Sequence, residues 1–236
     1  MNDTTSGLLT IAVLGLLLAL LWAPFGDHMA RVVTGTRHAR VERGLYRLLG
    51  VDPEAQQSAR SYATSVLAFS AVGIALLVAI LMGQQHLPFS RGLPGMPWDM
   101  ALNTAVSFVT NTNWQSYAGE STLGFTAQMA GLAVQNFLSA AVGICVAVAL
   151  VRGFLATRSG TVGNFWVDLV RVTGRVLLPV AVVGAVLLLT QGVVQSFADQ
   201  TITTVTGDSQ VVPGGPVAGQ EAIKQLGTNG GGFFNA

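Results

Sequence analysis

The chain contains 236 residues, of which 51% are hydrophobic and only 10% are charged. Soluble domains carry about 25% charged residues, so this composition predicts an integral membrane protein. The net charge of +1 gives no basic field of the kind that attracts nucleic acid, and the single cysteine, Cys145, excludes an internal disulfide and a multi-cysteine metal site.

Four uninterrupted apolar runs approach or exceed the length of about 20 residues that crosses a bilayer. In chain order they cover residues 7–23, 62–83, 125–151 and 176–194. No Lys or Arg precedes the first run, whereas a signal peptide begins with positive charge, so we expect a retained transmembrane helix there. Three amides inside the third run, Gln128, Gln135 and Asn136, are expected to hydrogen-bond to neighbouring helices. The sequence therefore predicts an all-α polytopic membrane protein.

The distribution of positive charge predicts the orientation. Ten of the twelve Lys and Arg residues lie between runs one and two or between runs three and four: Arg31, Arg37, Arg40, Arg43, Arg47, Arg60, Arg152, Arg158, Arg171 and Arg175. Because positive residues accumulate on the cytoplasmic side, we expect the arginine-rich loops to be cytoplasmic and the N-terminus to be outside. The charges from Arg31 to Arg47 are interpreted as a solvated face near lipid headgroups, with docking of a partner subunit as the alternative.

A short amphiphilic stretch and a polar, uncharged pentapeptide separate runs two and three. Pro97 suits a helix start, and Asp99 would lie in the first turn, where the helix dipole favours an acid. Residues 99–110 would form a helix of about 18 Å, which is half the hydrocarbon thickness. Such a helix can enter the membrane from outside, and residues 111–115 (NTNWQ) would then form the return segment.

The chemistry of this return segment suits a monovalent cation. Backbone inside a membrane is tolerated where protein buries it or where it lines an aqueous cavity. The negative end of the half-helix dipole would face the segment, which offers backbone carbonyls and side-chain amides but no carboxylate. Oxygens of this kind replace the hydration shell of K⁺ in selectivity filters.

A second copy of this pattern follows the fourth run. Pro216 precedes a predicted short helix over residues 220–227, and Glu221 would take the first-turn acid position. The glycine-rich residues 228–232 (TNGGG) would form the loop, since glycines let carbonyls crowd an axis without side-chain clashes. Lys224 is expected to face away from an ion path, to snorkel or to pair with an acid.

The two copies indicate a duplicated helix–pore-loop–helix unit. Aligning Thr110-Asn111 with Thr228-Asn229 places the copies 118 residues apart, but Thr112-Asn113 matches the same dipeptide, so the register stays open.

Three stretches of the chain closely resemble the KdpA family, the potassium-binding subunits of bacterial Kdp ATP-driven uptake complexes. They are VERGLYRLLGV, DMALNTAVSFVTNTNWQSYAGESTLGFTAQMAGLAVQNFLSAAVGI and GPVAGQEAIKQLGTNGGGFFNA. The resemblance implies membership of a superfamily with the Trk, Ktr and HKT transporters, in which four helix–pore-loop–helix units surround one pore. On this scheme residues 1–61 form an N-terminal transmembrane helix and a cytoplasmic loop. Residues 62–151 form the first unit and residues 152–236 a truncated second unit.

The resemblance also implies a set of K⁺ filter residues. These are Asn111, Thr112 and Asn113 with Gln115 beside them as a determinant of affinity, and Thr228, Asn229 and Gly230, the last in the place of a filter glycine.

By the same resemblance, the expected role is K⁺ uptake across the bacterial inner membrane. The subunit would take K⁺ from the periplasm and pass it through an intramembrane tunnel to the ATP-hydrolysing P-type pump subunit. It would be non-catalytic, because it contains neither a Walker-type motif nor the Asp-Lys-Thr-Gly phosphorylation motif. ATP and Mg²⁺ would bind that pump subunit, and small accessory membrane subunits would complete the complex.

The length of the chain limits this expectation. Family members carry four filter segments, whereas this sequence stops just past the second, so we expect a truncated product or an incomplete gene model that cannot form a pore alone. The alternative functions are a passive K⁺ channel, an ion-coupled K⁺ symporter subunit of the same superfamily, and a non-transporting membrane fragment.

Overall fold

The structure, a computed structural model, describes residues 2–155 and 160–234. Within these ranges four helical segments are long and apolar enough to cross a membrane: Asp3–Thr34, Ala59–His86, Ala127–Leu155 and Phe165–Thr190. This confirms the predicted all-α polytopic fold class and its four spans. Arg158, one of the ten arginines used to predict the orientation, and the final residues Asn235 and Ala236 lie outside the described residues.

The first half of the chain alternates long helices with short ones. Its elements are α1 (Asp3–Thr34), α2 (Arg40–Leu49), β1 (Gln57–Ser58), α3 (Ala59–Gly83) with a 3₁₀ turn at Gln84–His86, α4 (Trp98–Val109) and α5 (Gly119–Thr122). The side chains of Asn2 and Ser58 cap α1 and α3 by accepting backbone N–H groups of their first turns. Gly50, at φ 65°, ends α2 in the left-handed conformation that glycine adopts without strain.

The second half begins with the third span, which starts as a π-helical segment. The elements are the π segment Ala127–Ala133 with α6 (Val134–Leu155), β2 (Thr161–Gly163), α7 (Phe165–Arg171), the π segment Val172–Leu177, α8 (Leu178–Thr190), β3 (Gln200–Thr203), β4 (Ser209–Val212) and α9 (Val217–Leu226). The third and fourth spans therefore each contain one π segment. Such segments are rare and frequently lie at functional sites.

Two small antiparallel strand pairs lie at opposite ends of the helices. On the arginine-rich side, β1 pairs with β2 and so joins the start of α3 to the start of α7. On the other side, β3 and β4 form an exposed hairpin. There Arg91 Nη2 lies 2.8 Å from Asp199 Oδ2, and this hydrogen bond lowers the pKa of the Asp199 carboxyl below its usual value.

The short helices α4 and α9 pack in matching ways. α4 packs chiefly against α3 and α9 against α8, while α6 contacts both α4 and α9. One core cluster, which includes Leu77 of α3, Phe108 of α4 and Leu132 of the third span, is almost completely buried. Because lipid tails are as apolar as these side chains, close van der Waals packing rather than removal from water holds such helices together.

The third and fourth spans are longer than the sequence predicted. The run expected at residues 176–194 belongs to a helix that starts at Phe165, so Asp168, Arg171 and Arg175 lie within the helix and not in a loop. Arg152 likewise lies inside the third span. Our boundaries for these two spans were wrong, because each predicted span stopped at a charged residue. A helix continues through charged residues where their charges are paired near the membrane edge.

The buried pair Arg152–Asp168 illustrates this compensation. The guanidinium donates to both carboxylate oxygens, at 2.6 and 3.0 Å, and Asp168 is 2% exposed. Arg152 also donates to the carbonyl of Val33 at the end of α1, and Tyr62 of α3 donates to Asp168 Oδ2 at 3.1 Å. One ion pair thereby connects α1, α3, α6 and α7.

We expect Asp168→Asn to destabilise the protein strongly, because it leaves the Arg152 guanidinium half-buried without its counter-charge. Breaking a buried pair in this way costs about 3–5 kcal/mol. The measurement is thermal unfolding in detergent. The matched acid-to-amide control is Glu54→Gln, whose side chain is 79% exposed beside His38 and should change the midpoint little. Equal midpoints for the two variants would contradict the role assigned to the pair.

Candidate ion-binding site

The two half-helices α4 and α9 end in the same backbone pattern. Matching positions differ by 117 residues throughout, as in the pairs Val109/Leu226, Asn111/Thr228 and Asn113/Gly230. The hydrogen bonds agree: Thr112 N–H donates to Ser107 O, and Asn229 N–H donates to Lys224 O. The structure thus resolves the open register at 117 and not at 118, because backbone conformation, rather than the repeated Thr-Asn dipeptide, aligns the copies.

The starts of the two half-helices differ, and here one prediction was wrong. Asp99 does lie in the first turn of α4. α9, however, begins at Val217 directly after Pro216, so Glu221 falls in its second turn and no acid occupies its first. Val217 and Ala218 are buried in the core, which explains why the helix starts earlier than the polar sequence suggested.

In both segments, residues with a left-handed backbone conformation alternate with residues that lack it. Asn111 and Asn113 have φ values of 63° and 54°, and the equivalent Thr228 and Gly230 have values of 54° and 93°. Glycine adopts this region freely and asparagine tolerates it, but a β-branched threonine there is strained. Such strain of about 1–3 kcal/mol persists only where the surroundings fix the backbone, and it concentrates at functional sites.

Ser107, in the last turn of α4, fixes the first segment. Its carbonyl accepts the N–H of Thr112 at 3.0 Å and the N–H of Asn113 at 3.3 Å. Its hydroxyl accepts the N–H of Trp114 at 2.5 Å. These bonds satisfy the polar backbone that follows the helix end, which is a requirement wherever water is scarce.

Hydrogen bonds also join the two segments directly. Asn111 Nδ2 donates to Gly227 O at the end of α9, at 3.1 Å, and Asn229 Nδ2 donates to Asn111 Oδ1. The Gln115 amide makes two bonds to one residue, because its Nε2 donates to Gly232 O at 3.2 Å and its Oε1 accepts Gly232 N–H at 2.9 Å. The segments that the sequence predicted separately are therefore parts of one site.

The glycine run in the second segment follows from this close approach. A Cβ atom on Gly231 would lie 2.6 Å from Asn113 O and 2.7 Å from Gln115 Oε1, closer than side-chain atoms occur. We had expected the glycines to let carbonyls crowd an axis. At Gly231 the structure shows a different need, which is room for the neighbouring segment.

Polar residues of the third span support the site from behind. Ser139 Oγ donates to Asn111 Oδ1 at 2.8 Å, and Asn136 Oδ1 accepts from Asn113 Nδ2 at 2.5 Å. Gln128 donates to Phe233 O at 3.3 Å. Gln128 Oε1 also accepts from Gln220 Nε2 of α9 at 3.0 Å, which confirms its expected bond to a neighbouring helix, whereas Asn136 bonds to the segment after α4. The sequence did not assign Gln128, Asn136, Ser139 or Ser107 to the site. Gln128, Asn136 and Ser139 nevertheless recur along one face of an otherwise apolar span.

The seven predicted site residues divide by exposure. Asn113 and Asn229 are buried, Thr112, Thr228 and Gly230 are exposed, and Asn111 and Gln115 are intermediate. Among the described residues, the Oδ1 atoms of Asn113 and Asn229 are buried without a hydrogen-bond donor.

The two segments carry no charged side chain, and the lysine beside them is paired with an acid. Neither segment contains an acidic residue. Lys224 Nζ lies 2.6 Å from Glu221 Oε2, so its positive charge is paired, which answers the question left by the sequence. The C-terminal ends of α4 and α9 meet at the Asn111–Gly227 bond, and their dipoles place partial negative charge there. The arrangement can therefore stabilise a cation weakly, through oxygens without full charge.

Comparison with known proteins identifies the family of the chain. Residues 12–236 match the family model KdpA, described as the potassium-transporting ATPase A subunit. The chain is 62% identical over 237 residues to a protein of Kineococcus radiotolerans, 58% identical over 239 residues to one of Mycolicibacterium smegmatis and 57% identical over 235 residues to one of Clavibacter michiganensis subsp. michiganensis.

Each of these relatives is named a potassium-transporting ATPase potassium-binding subunit. The alignments cover 99% or more of this chain but only 42–43% of each relative, so the chain spans about two fifths of their length. The family model and the identities agree along nearly the whole sequence. The chain therefore belongs to the KdpA family.

Proposed function

We propose that residues 111–115 and 228–232 form two adjoining parts of a K⁺-selective filter. The observation that carries this proposal is the junction of the two segments at the converging C-terminal ends of two half-helices, through Asn111–Gly227 and Gln115–Gly232. Filters of this kind replace the water around K⁺ with rings of carbonyl oxygens. In this proposal Asn111, Thr112 and Asn113, with Gln115, line one part, and Thr228, Asn229 and Gly230 line the other.

K⁺ is the cation that this chemistry favours. Carboxylates favour divalent cations, whereas the segments offer neutral oxygens together with two helix dipoles. The names of the relatives, which state potassium binding, support the same ion.

The role of the complete protein is a further part of the proposal. We place the N-terminus and the site on the periplasmic side of a bacterial inner membrane and the arginine-rich side in the cytoplasm. K⁺ bound in the filter would then pass to the subunit that hydrolyses ATP with Mg²⁺, in a complex with small accessory subunits. Residues 1–61 would precede the first unit (62–151), and residues 152–236 would belong to the second.

The first prediction concerns Gln115→Arg in the complete protein, expressed with its partner subunits. Arginine cannot accept the Gly232 N–H bond, and it adds a positive charge beside the segments. A unit charge about 8 Å from a bound cation costs about 2 kcal/mol at an effective dielectric of about 20, or roughly thirtyfold in affinity. K⁺ uptake should then require correspondingly higher external K⁺.

The control for this prediction is Gln210→Arg, the same replacement in the exposed strand β4. It should leave the K⁺ dependence of uptake unchanged, and unchanged affinity in Gln115→Arg itself would refute the filter assignment. Uptake that persists after ATP depletion would favour a passive channel or symporter over a pump.

The second prediction compares two glycines of similar conformation. Gly230→Ala and Gly207→Ala both place a Cβ at a positive φ, 93° and 88°, and each should cost about 1–2 kcal/mol of strain. Gly207 lies in the exposed hairpin turn, with open space around its Cβ position. Both variants should therefore unfold at slightly lower temperature, but only Gly230→Ala should weaken K⁺ uptake. Equal uptake by the two variants would show that Gly230 has no role in ion binding.

A further inference from the structure

Helix α2 (Arg40–Leu49) has three distinct faces, one of which is held by the protein. Glu42 and Tyr46, one turn apart, are 6% and 1% exposed. The Glu42 carboxylate accepts two hydrogen bonds from the guanidinium of Arg175 in the fourth span. This face docks α2 against α7, and the Glu42–Arg175 bonds tie it to the segment Val172–Leu177 that follows.

A second face of α2 is apolar, and none of the described residues covers it. Val41, Leu45 and Leu48 recur at the spacing that places side chains on one side of a helix, and they are 75%, 40% and 82% exposed. Such a stripe of aliphatic side chains on a ten-residue helix is costly to leave in water.

The third face carries only positive charge. Arg40, Arg43 and Arg47 are exposed and recur at the same helical spacing, on a side distinct from both the apolar stripe and the docked face. The acid of this helix, Glu42, is already paired with Arg175. The net charge of the free surface of α2 is therefore positive.

The depth of α2 relative to the membrane is inferred from where the uncharged stretches of two spans end. The uncharged stretch of α1 ends at Asp27, and the uncharged stretch of the fourth span begins after Arg175. These two boundaries lie side by side, because His28 Nε2 is 2.9 Å from Arg175 O. Both helices thus mark the same edge of the hydrocarbon. Glu42 is bonded to Arg175, which places α2 along that edge.

We propose that α2 is an interfacial helix that binds the anionic phospholipid surface on the arginine-rich side of the membrane. Val41, Leu45 and Leu48 enter the region between headgroups and acyl chains, and the three arginines contact lipid phosphates. A helix with one aliphatic face and one basic face binds a negatively charged leaflet in this orientation. The inference does not depend on K⁺ binding, since it uses none of the filter residues.

The test is to locate single nitroxide labels on the complete protein, reconstituted in its complex into vesicles. The labelled variants are Leu48→Cys on the apolar face and Arg47→Cys on the basic face, and Cys145 is buried and stays unlabelled. Leu67→Cys on the exposed side of α3 gives the value for hydrocarbon, and Val205→Cys in the β3–β4 turn gives the value for water.

Collision with oxygen, which concentrates in lipid, and with a polar nickel complex, which stays in water, reports the depth of each label. We expect the label at position 48 to resemble the Leu67→Cys reference and the label at position 47 to resemble the Val205→Cys reference. A label at position 48 that collides mainly with nickel would overturn the proposal. Protection from both reagents would also overturn it, because a partner subunit would then cover α2.

The role of anionic lipid in binding α2 is tested by changing the lipid composition of the vesicles. The label at position 48 should move deeper when about a third of the phosphatidylcholine is replaced by phosphatidylglycerol. That shift should be lost when Arg40 and Arg43 are changed to glutamine, and it should persist in the matched control Arg60→Gln, outside α2. A depth that does not depend on phosphatidylglycerol would refute the charge recognition.

Discussion

A helix that ends inside a membrane leaves its last carbonyl groups without water, and the arrangement of this chain follows from that constraint. In the proposed orientation α4 and α9 both end this way, and the segment after α4 satisfies a carbonyl at the end of α9. Asn111, just past the end of α4, donates to the carbonyl of Gly227 at the end of α9, while Ser107 and Lys224 accept the N–H groups of the returning segments. In the proposed function, the remaining oxygens of the segments bind the cation. The polarity that makes the segments costly in a membrane is thus also the basis of the proposed function.

On the opposite, arginine-rich side of the molecule, charged residues lie close to the hydrocarbon and must be compensated. Arg152 and Asp168 compensate each other, and Glu42 and Arg175 do the same. Each pair connects elements that are distant in sequence, so the charges that end the apolar runs also determine how the helix ends are packed. The arginine-rich side therefore joins its helix ends through buried ion pairs, whereas the two polar segments on the other side are joined by uncharged amides and carbonyls.

The sequence predicted the number of spans, both half-helices and both polar segments, because apolar length and a short helix followed by polar residues are local signals. It did not predict where the third span ends and the fourth begins, since the pairing of Arg152 with Asp168 depends on tertiary contacts. The start of α9 was missed because buried Val217 and Ala218 extend the helix towards Pro216. The supporting residues Ser107 and Ser139 could not be assigned, because a serine in an apolar helix gives no sign of which neighbour it will meet.

The equal backbone spacing of the two copies hides a difference in their side chains. Asn113 is matched by Gly230, and Ser107, whose hydroxyl holds the first segment, is matched by Lys224, whose ammonium is paired with Glu221. In a ring of identical subunits, one codon change alters every copy of a position at once. Here each position is encoded separately, so in the proposed filter selection can adjust the oxygens around the ion one at a time. Such a site is pseudosymmetric: its repeats share one fold, but their equivalent residues can change independently.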